Sequence, residues 1–152
     1  TDCNSASIGI EIVNPGHEFG YRPFPEAQMD TVTRLVAGIV RTYGIDPRNV
    51  VGHSDVAPTR KEDPGELFDW ERLAKLGLAV PRPREKLVDP GWPDAAFLVA
   101  LERYGYSISD GRAATVAFQR RFRPENIEGV IDGECRAILL SLLLEYEGGP
   151  AI

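Results

Sequence analysis

Apolar and polar residues follow two rhythms along this chain. Between residues 26 and 43, Met29, Val32, Leu35, Val36, Ile39, Val40 and Tyr43 recur at spacings of three and four. That repeat lines one face of a helix. Pro25 stands just before the run and Gly44 just after it, in keeping with the rules for helix starts and stops. Residues 6–13 alternate instead. Ile8, Ile10 and Ile12 share one face, and Ser7, Gly9, Glu11 and Val13 the other, which predicts a strand. Glu11 is thereby set opposite the isoleucines, beside a glycine that leaves room. A second apolar run, Val50-Val51, predicts a short strand over residues 49–53 that ends on His53.

Helical spacing returns further on. Residues 67–73 begin a short helix with Asp69 as its N-cap and Gly77 as its stop. Residues 94–146 hold three more helical patterns. Phe97, Leu98, Leu101 and Tyr104 mark the first. Ala113, Ala114, Val116, Ala117, Phe118 and Phe122 mark the second, with Asp110 as a cap, and Ile138, Leu139, Leu142 and Leu143 mark the third. Between these and the earlier elements, residues 80–93 carry four prolines and five charged residues, the composition of a linker. The expected organisation is therefore residues 1–79, a linker over 80–93, and a helical unit over 94–152. That last unit is close to the lower size limit for an independent core.

Composition narrows the class. The chain has 152 residues, 43% of them hydrophobic and 26% charged, as in an ordinary globular protein. A formal net charge of −6 argues against a nucleic-acid partner. No apolar run approaches the roughly 18 residues of a membrane span. Cys3 and Cys135 lie far apart with no C-x-x-C pair, so neither a disulfide framework nor a structural zinc pair is indicated.

The candidate chemistry gathers after Val51. His53 stands at the expected strand end, and a proline- and glycine-punctuated loop carries Asp55, Arg60, Lys61 and Asp63 past it. Imidazole nitrogen and carboxylate oxygen are common zinc ligands, and a catalytic site needs three protein ligands with one position open. His53 and Asp63 could supply two. A solvated polar loop is the other reading of the same residues. Residues 14–25, with three prolines and three aromatics, form a stiff apolar loop directly after Glu11.

The run G-H-S-D-V-A-P-x-R-K-x-D-P-G, Gly52 to Gly65, resembles the signature of the zinc-dependent N-acetylmuramoyl-L-alanine amidases of type 2. These enzymes share a fold with the peptidoglycan recognition proteins. Asn4-Ser5-Ala6-Ser7-Ile8-Gly9-Ile10-Glu11 is similar to a second block of that family, N-x-x-S-I-G-I-E. The resemblance implies an α/β fold, a mixed β-sheet flanked by helices. It implies Zn2+ as cofactor with His53 and Asp63 as ligands, Glu11 as catalytic base and Lys61 facing the substrate carbonyl. His17, Tyr21 and Arg60 are expected to contact substrate. The implied reaction is hydrolysis of the amide between N-acetylmuramic acid, or its anhydro form, and L-alanine of the stem peptide. A non-catalytic peptidoglycan- or muropeptide-binding protein of the same fold is the alternative.

The stretch Ala113 to Gly133, with A-V-x-x-F-Q and D-G elements, is similar to the three-helix peptidoglycan-binding domain often appended to cell-wall hydrolases. It departs from that pattern at Cys135-Arg136-Ala137. The family's first zinc histidine lies upstream of the Glu block and has no counterpart here. The resemblance therefore covers the later part of the catalytic domain and implies an upstream fragment of the same protein as a partner. The expected location is the bacterial cell envelope or periplasm rather than the cytoplasm.

Overall fold

A computed structural model describes residues 3–148; residues 1–2 and 149–152, the outer ends of the expected divisions, lie outside it. Helix α1 (Glu26–Tyr43) has Pro25 at its N-cap. Gly44, with φ of 62°, closes it by donating its N–H to the Val40 carbonyl, a left-handed cap that suits glycine. Met29, Val32 and Val36 are buried, but Leu35 and Tyr43 remain 47% and 67% exposed. Only part of the expected stripe therefore faces the core.

A second short helix, α2 (His53–Val56), follows Gly52. Helix α3 (Trp70–Lys75) starts where Asp69 accepts a hydrogen bond from the Arg72 N–H at 3.0 Å. Leu73 of α3 joins Met29, Val32, Val36, Phe68, Leu78 and Ala79 in one core, with Ile10, Ile12 and Val50 packed at its edge.

The expected mixed sheet is not found. No strand occurs among the described residues. Asn4–Ala6 and Pro47–Asn49 are single 3-10 turns. Residues 7–15 and 50–52 are irregular, with no ladder to a neighbour. The alternation of residues 8–13 has a different meaning. Ile10 and Ile12 are half buried against α1 while Glu11 and Val13 are exposed. Alternation reports which face is covered, whereas a strand also needs a second backbone at hydrogen-bonding distance. His53 correspondingly opens a helix and does not end a strand.

Three longer helices follow: α4 (Asp94–Tyr104), α5 (Gly111–Phe122) and α6 (Gly133–Gly148). Asp110 caps α5 by accepting from the Ala113 N–H at 2.9 Å. Phe97, Leu101, Ala114, Ala117, Phe118, Cys135, Ile138 and Leu139 form a second core with no exposed surface. Cys3 and Cys135 are both free thiols, one exposed and one buried.

The F-Q pair of the C-terminal motif is structural. Phe118 fills the core and Gln119 lies fully buried beside it. The Gln119 carboxamide accepts from the Gly129 N–H at 2.8 Å and donates to the Val130 carbonyl at 2.9 Å, pinning the 129–131 turn. Gln119→Leu leaves both backbone groups without their partner and is expected to cost about 1–3 kcal/mol. Chemical denaturation with an unchanged m-value would register this, and a shift below about 0.5 kcal/mol would contradict the assignment.

Residues 80–93 run along the C-terminal helices. Val80, Leu87 and Trp92 pack on the second core. Arg82 pairs with Glu125 at 2.6 Å and Glu134 at 3.2 Å, and Asp89 with Arg136 at 2.7 Å. The two cores meet where α2 packs on α5. There the Tyr106 hydroxyl donates to Asp55 at 2.6 Å, and the Arg121 guanidinium lies 3.5 Å over the Trp70 ring.

Candidate active site

The loop from Gly52 to Gly65 owes its shape to close approaches that only glycine allows. A Cβ on Gly52 would come within 2.8 Å of Pro64 Cδ and 3.2 Å of an Asp55 oxygen. Gly65 has φ of 85° and lies against the Tyr21 ring, where a Cβ would collide with the phenol. Asp55, at the third position of α2, accepts from the Gly52 N–H at 2.7 Å and so caps its own helix. The chain then turns back. The Asp63 carbonyl accepts from the Ser54 N–H at 2.9 Å, which returns Asp63 to the side of His53.

His53 Nδ1 and Asp63 Oδ2 stand 3.1 Å apart, with side chains 45% and 63% exposed. An imidazole nitrogen and a carboxylate oxygen thus face one open region. In kind and accessibility the pair fits two positions of a zinc site. Among the described residues no group of three or more His, Cys, Asp or Glu assembles as a metal cage.

The structure also brings His17 and Tyr21 to this loop. Their rings stack with centroids 4.2 Å apart. The Tyr21 hydroxyl donates to the Pro64 carbonyl at 2.7 Å and accepts from the Leu67 N–H at 3.0 Å. Burial pushes the Tyr21 phenol up to about 12, against the opposing hydrogen bond from Leu67. It therefore stays protonated and keeps donating at neutral pH. His17 faces Glu62 at 3.3 Å through Nδ1 and Glu66 at 3.0 Å through Nε2. Both residues brace the loop.

Glu11 and Arg60 are exposed and Lys61 is half buried. Their side chains make no hydrogen bond or ion pair with the described residues. The structure thus unites His53 with Asp63 and His17 with Tyr21, and leaves Glu11, Lys61 and Arg60 unpaired among the described residues. The motif by itself gives Asp55 no role. Glu62, Glu66 and Arg120 were missed altogether, because their meeting depends on α5 reaching the loop.

Residues 1–66 match the profile of the N-acetylmuramoyl-L-alanine amidase family. The amidase-matched region thus includes Glu11, His53, Lys61 and Asp63. Over 96% of its length the chain is 35% identical to N-acetylmuramoyl-L-alanine amidase AmiD of Escherichia coli, and it spans 60% of that protein. AmiD in complex with the substrate anhydro-N-acetylmuramic acid-L-Ala-D-gamma-Glu-L-Lys superposes with a TM-score of 0.75, covering 84% of this chain and 55% of that one. AmpDH3 of Pseudomonas aeruginosa with anhydromuramic pentapeptide gives 0.72 at 31% identity, over 84% of this chain and 56% of the other. The likeness to these two solved structures therefore extends beyond the matched region into the C-terminal helices.

Proposed function

We propose that this chain carries the later part of a zinc-dependent N-acetylmuramoyl-L-alanine amidase. The substrate is a muropeptide or peptidoglycan strand, met in the bacterial cell envelope. The observation that carries this reading is the 35% identity to AmiD over nearly the whole chain. The meeting of His53 and Asp63 at 3.1 Å supports it independently.

His53 through Nδ1 and Asp63 through its carboxylate would hold two ligand positions of the metal. Zinc, when bound, supplies Lewis acidity that lowers the pKa of a water from 15.7 toward about 7. Glu11 takes the proton of the attacking water as its oxygen bonds to the lactyl carbonyl carbon. It then returns that proton to the alanine nitrogen as the C–N bond breaks. Lys61 offers an ammonium to the developing oxyanion, a contribution of about 2.7–4 kcal/mol where one such donor is removed. The exposure of Glu11, and the freedom of Lys61 from ion pairs among the described residues, support these roles. Residues 94–152 would add affinity for the wall polymer. Phe118 and Gln119 are buried, so such contacts must come from the exposed side chains of the helices.

The test is mass analysis of products from defined muropeptides incubated with the full-length protein. The expected products are free stem peptide and the matching muramic or anhydromuramic sugar, lost when a chelator removes the metal. Tight binding of the muropeptide without cleavage would overturn catalysis and leave the binding-protein alternative.

A further inference from the structure

Three charged side chains and an imidazole, from three parts of the chain, meet at the loop that carries Asp63. His17 comes from the loop after Glu11, Glu62 and Glu66 from the Asp63 loop, and Arg120 from α5. Arg120 Nη2 donates to Glu62 at 3.1 Å, and its Nε lies 3.7 Å from Glu66. The two ring nitrogens of His17 face the same two carboxylates at 3.3 and 3.0 Å. Each carboxylate is thus held between an arginine and an imidazole. Together with the Tyr21 contacts to Pro64 and Leu67, the cluster grips the loop on both sides of Asp63.

We propose that Arg120 is a positioning residue for the site, through which the C-terminal helical part fixes the direction of Asp63. This rests on the amidase reading of His53 and Asp63. Three observations carry it. Arg120 is only 12% exposed, so its charge has been taken largely out of water. Its Nε has no hydrogen-bond acceptor, so the cluster is not optimised as a stabilising pair. Glu62 is the chain neighbour of Asp63, and Glu66 is three residues on. Three acidic side chains within five positions repel one another, and the Arg120 guanidinium offsets that repulsion while the two ring nitrogens of His17 bridge Glu62 and Glu66. The Glu62 carboxylate that pairs with Arg120 is 58% exposed and can turn to water when Arg120 is lost, so the stability cost stays well below that of breaking a fully buried pair. Removal of a group that orients a metal ligand typically costs 10–100-fold in metal affinity or activity.

Those two expectations separate positioning from mere support. In the full-length protein, Arg120→Met should keep the melting temperature within a few degrees of wild type. Zinc affinity, read by competition with a chromogenic chelator, should fall roughly 10–100-fold. The same variant should lower kcat more than it alters KM. Arg120→Lys should recover only part of the loss, since an ammonium keeps the charge but not the two-sided fork. Arg120→Met combined with Glu66→Gln should lose little more than either alone. Wild-type zinc affinity in Arg120→Met, or a loss that follows the melting temperature, would overturn the proposal. If wild type binds zinc yet hydrolyses no muropeptide, the amidase reading fails, and the affinity comparison still decides the role of Arg120. If wild type binds no zinc, both fall together.

Discussion

Asp55→Ala is expected to cost about 3–5 kcal/mol of folding stability, the range for breaking a buried charged pair by removing one partner. Asp55 is 8% exposed and stands where the two cores meet. One oxygen accepts from the Tyr106 hydroxyl at 2.6 Å and the other from the Gly52 N–H at 2.7 Å. Alanine orphans both donors and removes the carboxylate whose charge acts most strongly on buried Arg121. For a chain of this size the melting temperature should drop by roughly 6–20 °C. A drop of less than about 2 °C would show that water had taken over both hydrogen bonds.

The same site predicts a pH dependence. Burial raises the Asp55 carboxyl above the usual carboxylate range, against the Arg121 charge and the hydrogen bonds from Tyr106 and Gly52. A group whose folded pKa is raised stabilises the fold fully below its unfolded pKa of about 3.9, and this contribution fades as pH rises through the folded value. Asparagine cannot ionise. The stability deficit of Asp55→Asn relative to wild type should therefore narrow as pH rises from about 4. A deficit that widens over that interval would mean the Arg121 charge outweighs desolvation. Burial, followed by the Asp55 charge, raises the Tyr106 phenol well above 10, so its hydroxyl keeps donating throughout.

Glu11→Gln is expected to reduce muropeptide turnover by about 100- to 10,000-fold, the usual contribution of a general base. Glutamine keeps the shape and length of the side chain but cannot accept a proton. Glu11 is exposed and unpaired with any described residue, so the substitution breaks no contact seen in the fold. Zinc content and melting temperature should stay at wild-type values. Loss of metal from this variant would make Glu11 a ligand, and undiminished turnover would assign the base elsewhere.

Local signals were legible in the sequence wherever they were settled within a few residues. The spacing from Met29 to Val40, with Pro25 and Gly44 at its ends, is enough for α1, because each of its hydrogen bonds closes within one turn. Asp69 and Asp110 cap their helices for the same reason. His53 and Asp63 were legible as neighbours because the loop between them is short and is interrupted at Pro58. The absence of a sheet among the described residues was not legible. Ile10 and Ile12 declare a covered face, and whether a second backbone pairs with them is decided elsewhere in the chain.

The cluster at the junction lies further still from what spacing can express. Asp55 and Tyr106 are 51 residues apart, and Arg120 and Glu62 are 58 apart. The sequence by itself determined which chemical groups are available and which short segments turn or coil. Only the tertiary structure decided which of those groups share a neighbourhood, because an ion pair or a buried hydrogen bond depends on a few ångströms of distance, set here by the packing of α5 on α2.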